Sequence, residues 1–498
     1  MIRQSWHARV ISDHPSMRRR RLSTAGYALL LGATGACGML LAAEDPIPEV
    51  VSLVDEGRFD SARGHIDQLL RDTALTAQQR SDLEFQRERM RRILLDFTSS
   101  AAQVEALLRE QIPDLRDEEF ARWDRAGLLE HQDIDGKRRY FRLAAANLFR
   151  VSPEALARRK SPPDWSESPL ERAHPHHREV VAVARATGRT SVAPIRVRIT
   201  QAIDVNRNAV PDGEAVRAWI PFPRAIRGQQ EDIRFVESVP SGHLIAPESS
   251  LQRTVYLEAP ARKDAVTHFS ITYELSIFAR YFAVDPAKVT VEPATAELAP
   301  FLAQRPPHIV FTPDVRAFSR KVVGDERNPY RIARKLFDAV DRIPWAGARE
   351  YSTISNISEY ALRAGHADCG EQTLLLMTLL RLNGIPSRWQ SGMMFSDGEY
   401  QNLHDWGQLY LAPYGWVPMD VTFGRLHDAD PAVDGFYLGG VDAYRIAFSD
   451  DYSQPLVPVK RHFRSETVDL QRGEVEWRGG NLYFDQWDYA FQAEVVHN

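Results

Sequence analysis

Gly365-His-Ala-Asp-Cys369-Gly-Glu-Gln-Thr-Leu-Leu-Leu-Met-Thr-Leu-Leu-Arg-Leu-Asn-Gly384-Ile-Pro386 marks out a helix with a clear start and stop. Asp368 is a good N-cap, and Glu371, three residues on, completes a capping box. Gly384 followed by Pro386 stops the helix. Cys369 therefore falls at about the first helical position. Leu374, Leu375, Leu376, Met377, Leu379 and Leu380 make the helix apolar nearly all round, which predicts a core-embedded element. The unpaired N–H groups at a helix start favour a thiolate over a thiol and can receive a developing oxyanion. Cys369 is accordingly expected to be an activated nucleophile. By itself, a lone cysteine reads equally well as a small buried hydrophobe.

A thiol acyl-transfer site also needs a base and a group that orients the base. Both are found downstream. Asn402-Leu-His404-Asp-Trp-Gly-Gln-Leu-Tyr410 reads as one strand and Gly415-Trp-Val-Pro-Met-Asp420-Val-Thr-Phe-Gly424 as the next, joined at Ala412-Pro-Tyr-Gly415. His404 is the candidate base and Asp420 the candidate orienter. An odd-length loop puts them on one face. A Pro413-Tyr414-Gly415 turn, with Gly415 left-handed, would set Asp420 opposite Gln408, four residues or roughly 13 Å from His404. A bulge or strong twist is then expected to close the gap.

Asp368-Cys369-Gly370, the helix into Gly384-Ile-Pro386, His404-Asp-Trp406 and Gly415-Trp-Val-Pro-Met-Asp420 together resemble the transglutaminase-like superfamily over about residues 310 to 430. Three separated motifs occur in the family's order with similar spacing. The resemblance implies a papain-related α+β fold with Cys369 as nucleophile, His404 as base and Asp420 as orienter. Animal transglutaminases place Trp soon after the cysteine. This chain has Gly370-Glu371-Gln372 there, which weighs against transamidation. Trp345, Tyr351 and Tyr360 are candidates for a further oxyanion donor, and each reads equally as packing. His366 and His427 lack the context of His404 and read as ordinary surface residues. Trp389, Trp406, Tyr410 and Trp416 could line a cleft or belong to the core.

The 498 residues suggest roughly three domains. Residues 1–43 read as an export signal, with the basic run Arg18 to Arg21, an apolar stretch from Tyr27 to Ala43 and then Glu44-Asp45. Glycines interrupt the apolar stretch, which favours cleavage near Ala43 over a retained membrane span. A rival reading makes Cys37 a lipid-modified anchor. Cleavage would leave Cys369 as the sole thiol of a periplasmic or secreted chain, so no internal disulfide is expected.

Residues 44–160 carry helical periodicity, as in Val50, Leu53, Val54 and Phe59 and again in Val104, Leu107 and Leu108, and predict a helical N-terminal domain. Charged stretches such as Arg80 to Arg92 read as solvated faces. Residues 161–192 have linker composition, and 193–295 predict an antiparallel β domain with strands at Ile195–Ile199, Ala215–Ile220, Thr254–Leu257 and His268–Tyr273. The catalytic domain with C-terminal strands would fill 296–498.

Two metal-like motifs fail on inspection. His174-Pro175-His176-His177 has no second ligand cluster. Asp204-Val-Asn-Arg-Asn208-Ala-Val-Pro-Asp212-Gly-Glu has Ala209 and Ala215 where a calcium loop needs Gly and a carboxylate, and reads as a polar hairpin connection. The net charge of -5 with mixed signs argues against nucleic acid. The expected activity is hydrolysis of a protein or peptide substrate, or a related amide, through a thioester on Cys369, with no cofactor. Protein-glutamine transamidation and a non-catalytic exported binding scaffold remain as alternatives.

Overall fold

The computed structural model describes residues 47–496 except 164, 166, 292, 294 and 399. The expected export signal, with Cys37, lies outside them. The capped helix forms at Cys369–Leu382, and Asp368 and Glu371 make the reciprocal capping bonds. Every residue from Gly370 to Arg381 is buried, so packing from all sides holds this helix more than its exposed-face propensity does.

One side of the helix rests on an antiparallel sheet of four strands, in spatial order Gly415–Met419, Gln401–Leu411, Ser387–Phe395 and Arg445–Ser449. Helices Pro313–Val323, Pro329–Val340 and Ile357–Ala364 pack around the rest. Each starts on a side-chain cap, from Thr312, Asn328 and Asn356 respectively, and a cap of this kind contributes about 1 kcal/mol.

Two five-stranded antiparallel sheets lie before and after this layer in sequence. In one, Ser191–Val205 pairs with Thr267–Tyr281 on one side and with Trp487–Val495 on the other. In the other, Ala215–Pro221 lies between Thr254–Pro260 and Glu474–Trp477. Their apolar faces, including Ile199, Ile203, Val216, Ala218, Leu257 and Tyr273, share one core with the four-stranded layer and its helices.

Three expectations change here. The C-terminal strands complete the two β sheets and leave the four-stranded sheet without them, because Trp487–Val495 and Glu474–Trp477 cover edges that would otherwise expose unpaired backbone. The Asp204–Glu214 segment is a crossover between sheets and not a hairpin, since both edges of Ser191–Val205 are taken. Within 161–192, helix Pro175–Thr187 buries Val180, Val181 and Ala184 against the strands. Its histidines serve as caps and ties: His174 Nδ1 accepts from the His176 N–H, His176 Nε2 accepts from the Ala443 N–H, and His177 Nε2 meets the Tyr437 hydroxyl at 2.9 Å.

Residues 47–157 hold seven helices and a two-stranded ribbon, His131–Ile134 with Lys137–Tyr140, around a core of their own that includes Val50, Val54, Phe59, Val104 and Leu108. Leu107 is exposed. Within Arg80 to Arg92 the expectation of solvated faces fails at two positions. Arg89 donates to the Thr353 carbonyl at 3.0 Å, and Arg92 donates to the carbonyls of Ser465 and Arg464 at 3.3 and 3.1 Å. A guanidinium carries five donors, so it can satisfy several loop carbonyls at once without leaving its charge bare. Asn147 adds a two-way bond with Gly347, at 2.8 and 3.0 Å. The helical segment thereby holds the loop 345–353 that borders the cysteine. Among the described residues, no helix is long and apolar enough to cross a membrane.

Candidate active site

His404 and Asp420 meet because of strand register. Gly407 pairs with Met419 and Leu411 with Gly415, so the turn is Ala412-Pro413-Tyr414 and Gly415 opens the next strand at φ 78°. This is one residue earlier than the turn expected from sequence. Continuing the register puts Asp420 opposite Trp406, on the same face as His404 and diagonal to it, a separation of about 7–8 Å at the backbone that two side chains span. No bulge is needed. His404 Nε2 lies 2.7 Å from Asp420 Oδ2.

Asp420 is fully buried and anchored from several sides. Its Oδ1 accepts from the N–H groups of Thr422 at 3.2 Å and Phe423 at 3.4 Å, and Arg445 Nη1 reaches Oδ2 at 2.7 Å. Burial works against ionisation, but the charges of His404 and Arg445 outweigh it and hold the carboxyl below its ordinary range. An ionised Asp420 only accepts hydrogen bonds, so the neutral imidazole carries its proton on Nε2 and offers Nδ1 as a base. Phe423 and Trp406 flank the ring, with centroids at 4.9 and 6.0 Å. Arg445 is itself paired to Asp442, and Tyr437 donates to the same Asp442 oxygen at 3.1 Å.

Cys369 is half-buried and opens on two cavities. One, of about 260 Å3, is shared with His404, Tyr400, Phe423 and Glu171. The other, of about 360 Å3, is shared with Asp368, Asp405, Asp469 and Tyr351. Trp345, Asn402 and Leu403 border both.

The thiol departs from the expectation of a helix-stabilised thiolate. Sγ lies 3.4 Å from Asp405 Oδ2. Burial, with the carboxylates of Asp405 and Asp368 added, pushes the thiol well above its ordinary range. The same Asp368 that caps the helix places negative charge where the helix N-terminus is positive, and the two effects oppose each other. Thiolate formation in this setting depends on a base.

Asp405, Tyr351 and Arg445 join the site through contacts that no local sequence pattern signals. The Tyr351 hydroxyl lies 2.8 Å from Asp368 Oδ1 and 3.3 Å from Asp405 Oδ2, while Gln471 donates to Asp405 Oδ1 at 2.8 Å. Gly370 is required by this crowding, since a Cβ there would stand 2.1 Å from the Tyr351 oxygen and 2.7 Å from Asp405 Oδ2. Only the Asp-Cys-Gly triplet and the carboxylate after His404 signalled the cluster in sequence.

The other candidates separate cleanly. Tyr360 donates to Glu130 at 2.7 Å, and His366 packs beside it, both apart from the two cavities at Cys369. His427 is exposed at φ 52°. Trp389 and Trp406 are fully buried, and Trp416 packs on Phe301 and Tyr410. Of the proposed oxyanion donors, Trp345 and Tyr351 border the cavities. Among the described residues, no group of three or more His, Cys, Asp or Glu is placed to hold a metal ion.

Residues 316–421, which include Cys369, His404 and Asp420, match the model of the transglutaminase-like superfamily. No curated protein sequence matches the chain. Among solved structures, a candidate cysteine protease from Cytophaga hutchinsonii is similar at 11% identity, covering 62% of this chain and 93% of that one with a TM-score of 0.41. The periplasmic domain of TgpA from Pseudomonas aeruginosa is similar at 12% identity, covering 47% and 94% with a TM-score of 0.24. The segment spanning residues 316–421 belongs to the transglutaminase-like superfamily.

Proposed function

We propose that this protein is a cysteine hydrolase acting on peptide or related amide bonds, with Cys369 as nucleophile, His404 as base and Asp420 as the group that orients His404. The observation that carries this reading is the 2.7 Å bond from His404 Nε2 to a buried, ionised Asp420, in a ring whose cavity is shared with Cys369. In the first half-reaction His404 Nδ1 takes the thiol proton as Sγ attacks the carbonyl carbon. N–H groups at the helix start receive the oxyanion. The C–N bond breaks as His404 returns the proton to the leaving amine, and a thioester remains on Cys369. In the second half-reaction water, deprotonated by His404, attacks the thioester and restores the thiol.

Water as the acceptor is favoured by the Gly370-Glu371-Gln372 run, which departs from the Trp of animal transglutaminases. The basic run and apolar stretch of residues 18–43 support action outside the cytoplasm, in the periplasm or after secretion.

The test offers glutamine-containing peptides with and without a primary amine and follows products by mass. Cleavage or deamidation that disappears in Cys369→Ala is the expected result. A dominant amine adduct would replace hydrolysis by transamidation. Full function retained in Cys369→Ala would leave a binding scaffold as the reading.

A further inference from the structure

His404 and Asp405 are consecutive in a strand, so they point to opposite sides. His404 borders the smaller cavity and Asp405 the larger, with Cys369 between them. The chemistry proposed above uses only the His404 side, and the other side sets five carboxyl residues, Glu350, Asp368, Asp405, Glu466 and Asp469, against three arginines.

The cations of the larger cavity are already engaged. Arg472 is bound to Glu350 at 2.7 Å and to Glu466 at 2.8 Å. Arg349 donates to the Thr353 carbonyl at 2.8 Å and stands 3.9 Å from Glu130, and Arg142 lies 3.7 Å from Asp96. Asp368 is satisfied by Tyr351 and the Glu371 N–H, and Asp405 by Gln471 and the thiol.

Asp469 is different. It is only 6% exposed and borders the cavity, yet its carboxylate makes no hydrogen bond or ion pair with any described residue. The carboxylate of a side chain this little exposed is left to whatever occupies the cavity. Burial, together with Glu466, pushes the Asp469 carboxyl well above its ordinary range, and the charges of Arg472 and Arg464, which act the other way, do not offset it.

We propose that the larger cavity binds an aliphatic ammonium group of the substrate, with Asp469 as its carboxylate acceptor, while the susceptible carbonyl sits at Cys369. An ammonium has three donors and no acceptor, which suits a wall of carboxylates. The cavity volume of about 360 Å3 admits a short aliphatic amine with the chain that carries it. This inference rests on Cys369 as the nucleophile and adds the class of substrate that would reach it.

The experiment measures how fast iodoacetamide alkylates Cys369, resolved from Cys37 by peptide mass, in the presence of three probes. Nα-acetyl-lysine amide carries only a side-chain ammonium, glycyl-glycine amide only an α-ammonium, and N-acetyl-glycine amide no charge. At least one cationic probe should slow alkylation roughly tenfold, as a charge-assisted bond to a buried group allows, with no such effect from the neutral probe. The protecting probe identifies whether the ammonium comes from a side chain or a chain terminus. Protection should be lost in Asp469→Asn. Equal protection by the neutral probe, no protection by either cation, or full protection retained in Asp469→Asn would overturn the proposal. If the variant does not fold, the comparison of charged and neutral probes on the unaltered protein decides. Alkylation is read without turnover, so failure here stays separate from failure of the hydrolase reading, which Cys369→Ala tests.

Discussion

Arg445 Nη1 and His404 Nε2 converge on the same oxygen, Asp420 Oδ2, each at 2.7 Å. All three side chains are buried, and Arg445 is shared with a second buried carboxylate, Asp442. The carboxylate that orients the imidazole is therefore charge-balanced from behind, independently of whether His404 is protonated.

Arg445→Met should leave Asp420 and Asp442 without their cation. Breaking a buried pair by removing one partner costs about 3–5 kcal/mol, and urea denaturation at pH 7 should show a loss of that order. Asp420 and Asp442 both have folded pKa values below their unfolded ones, so their contribution is present above the unfolded value of about 3.9 and is lost as pH falls through the folded values. The acid limb of the stability profile below about pH 4 should flatten in the variant. An unchanged limb would show that this pair does not set acid stability.

Asp405→Asn should speed alkylation of Cys369 at the alkaline end of the profile, where Asp405, itself pushed well above its ordinary range by burial and by Asp469 and Asp368, ionises and helps burial hold the thiol proton. That end of the rate–pH curve should move to lower pH. A curve that stays in place would mean that burial alone sets the thiol.

Asp469→Asn should stabilise the fold at pH 8 and have little effect at pH 4. Burial raises the Asp469 carboxyl in the folded state, so the native protein holds a proton the unfolded chain has lost, and stability declines as pH rises above about 3.9. Removing the titrating group removes that decline. Thermal unfolding at the two pH values measures it, and a lower melting temperature at pH 8 would contradict the assignment.

Gly370→Ala should disrupt the junction of Tyr351, Asp368 and Asp405, since the added methyl would stand 2.1 Å from the Tyr351 oxygen. Overpacking of this kind costs about 1–3 kcal/mol, and the displaced groups border the thiol. Alkylation kinetics at Cys369 should change along with the unfolding midpoint. Kinetics identical to those of the unaltered protein would show that the site tolerates the methyl.

The helix that begins at Cys369 was legible because its signals are local. Asp368 and Glu371 cap it, Gly384 and Pro386 end it, and the leucines between can only be buried. The candidate triad was legible as a set of residues but not as a geometry. The turn between the two strands was read one residue late, and a shift of that size moves Asp420 from opposite Gln408 to opposite Trp406. The burial of Arg89 and Arg92 is not legible locally, since the carbonyls they meet at Thr353, Arg464 and Ser465 lie hundreds of residues away.

By itself the sequence determined that a cysteine would stand at a capped, buried helix start and that a histidine and an aspartate would follow on adjoining strands, because capping, helix burial and strand alternation act over a few residues. Tertiary structure alone decided the charge around the thiol, the balancing of Asp420 by Arg445, and the acidic second cavity. Those features depend on through-space fields and desolvation among groups far apart in the chain, from Glu350 to Arg472. Cys369 consequently sits between an imidazole and a wall of carboxylates, although only the imidazole was expected.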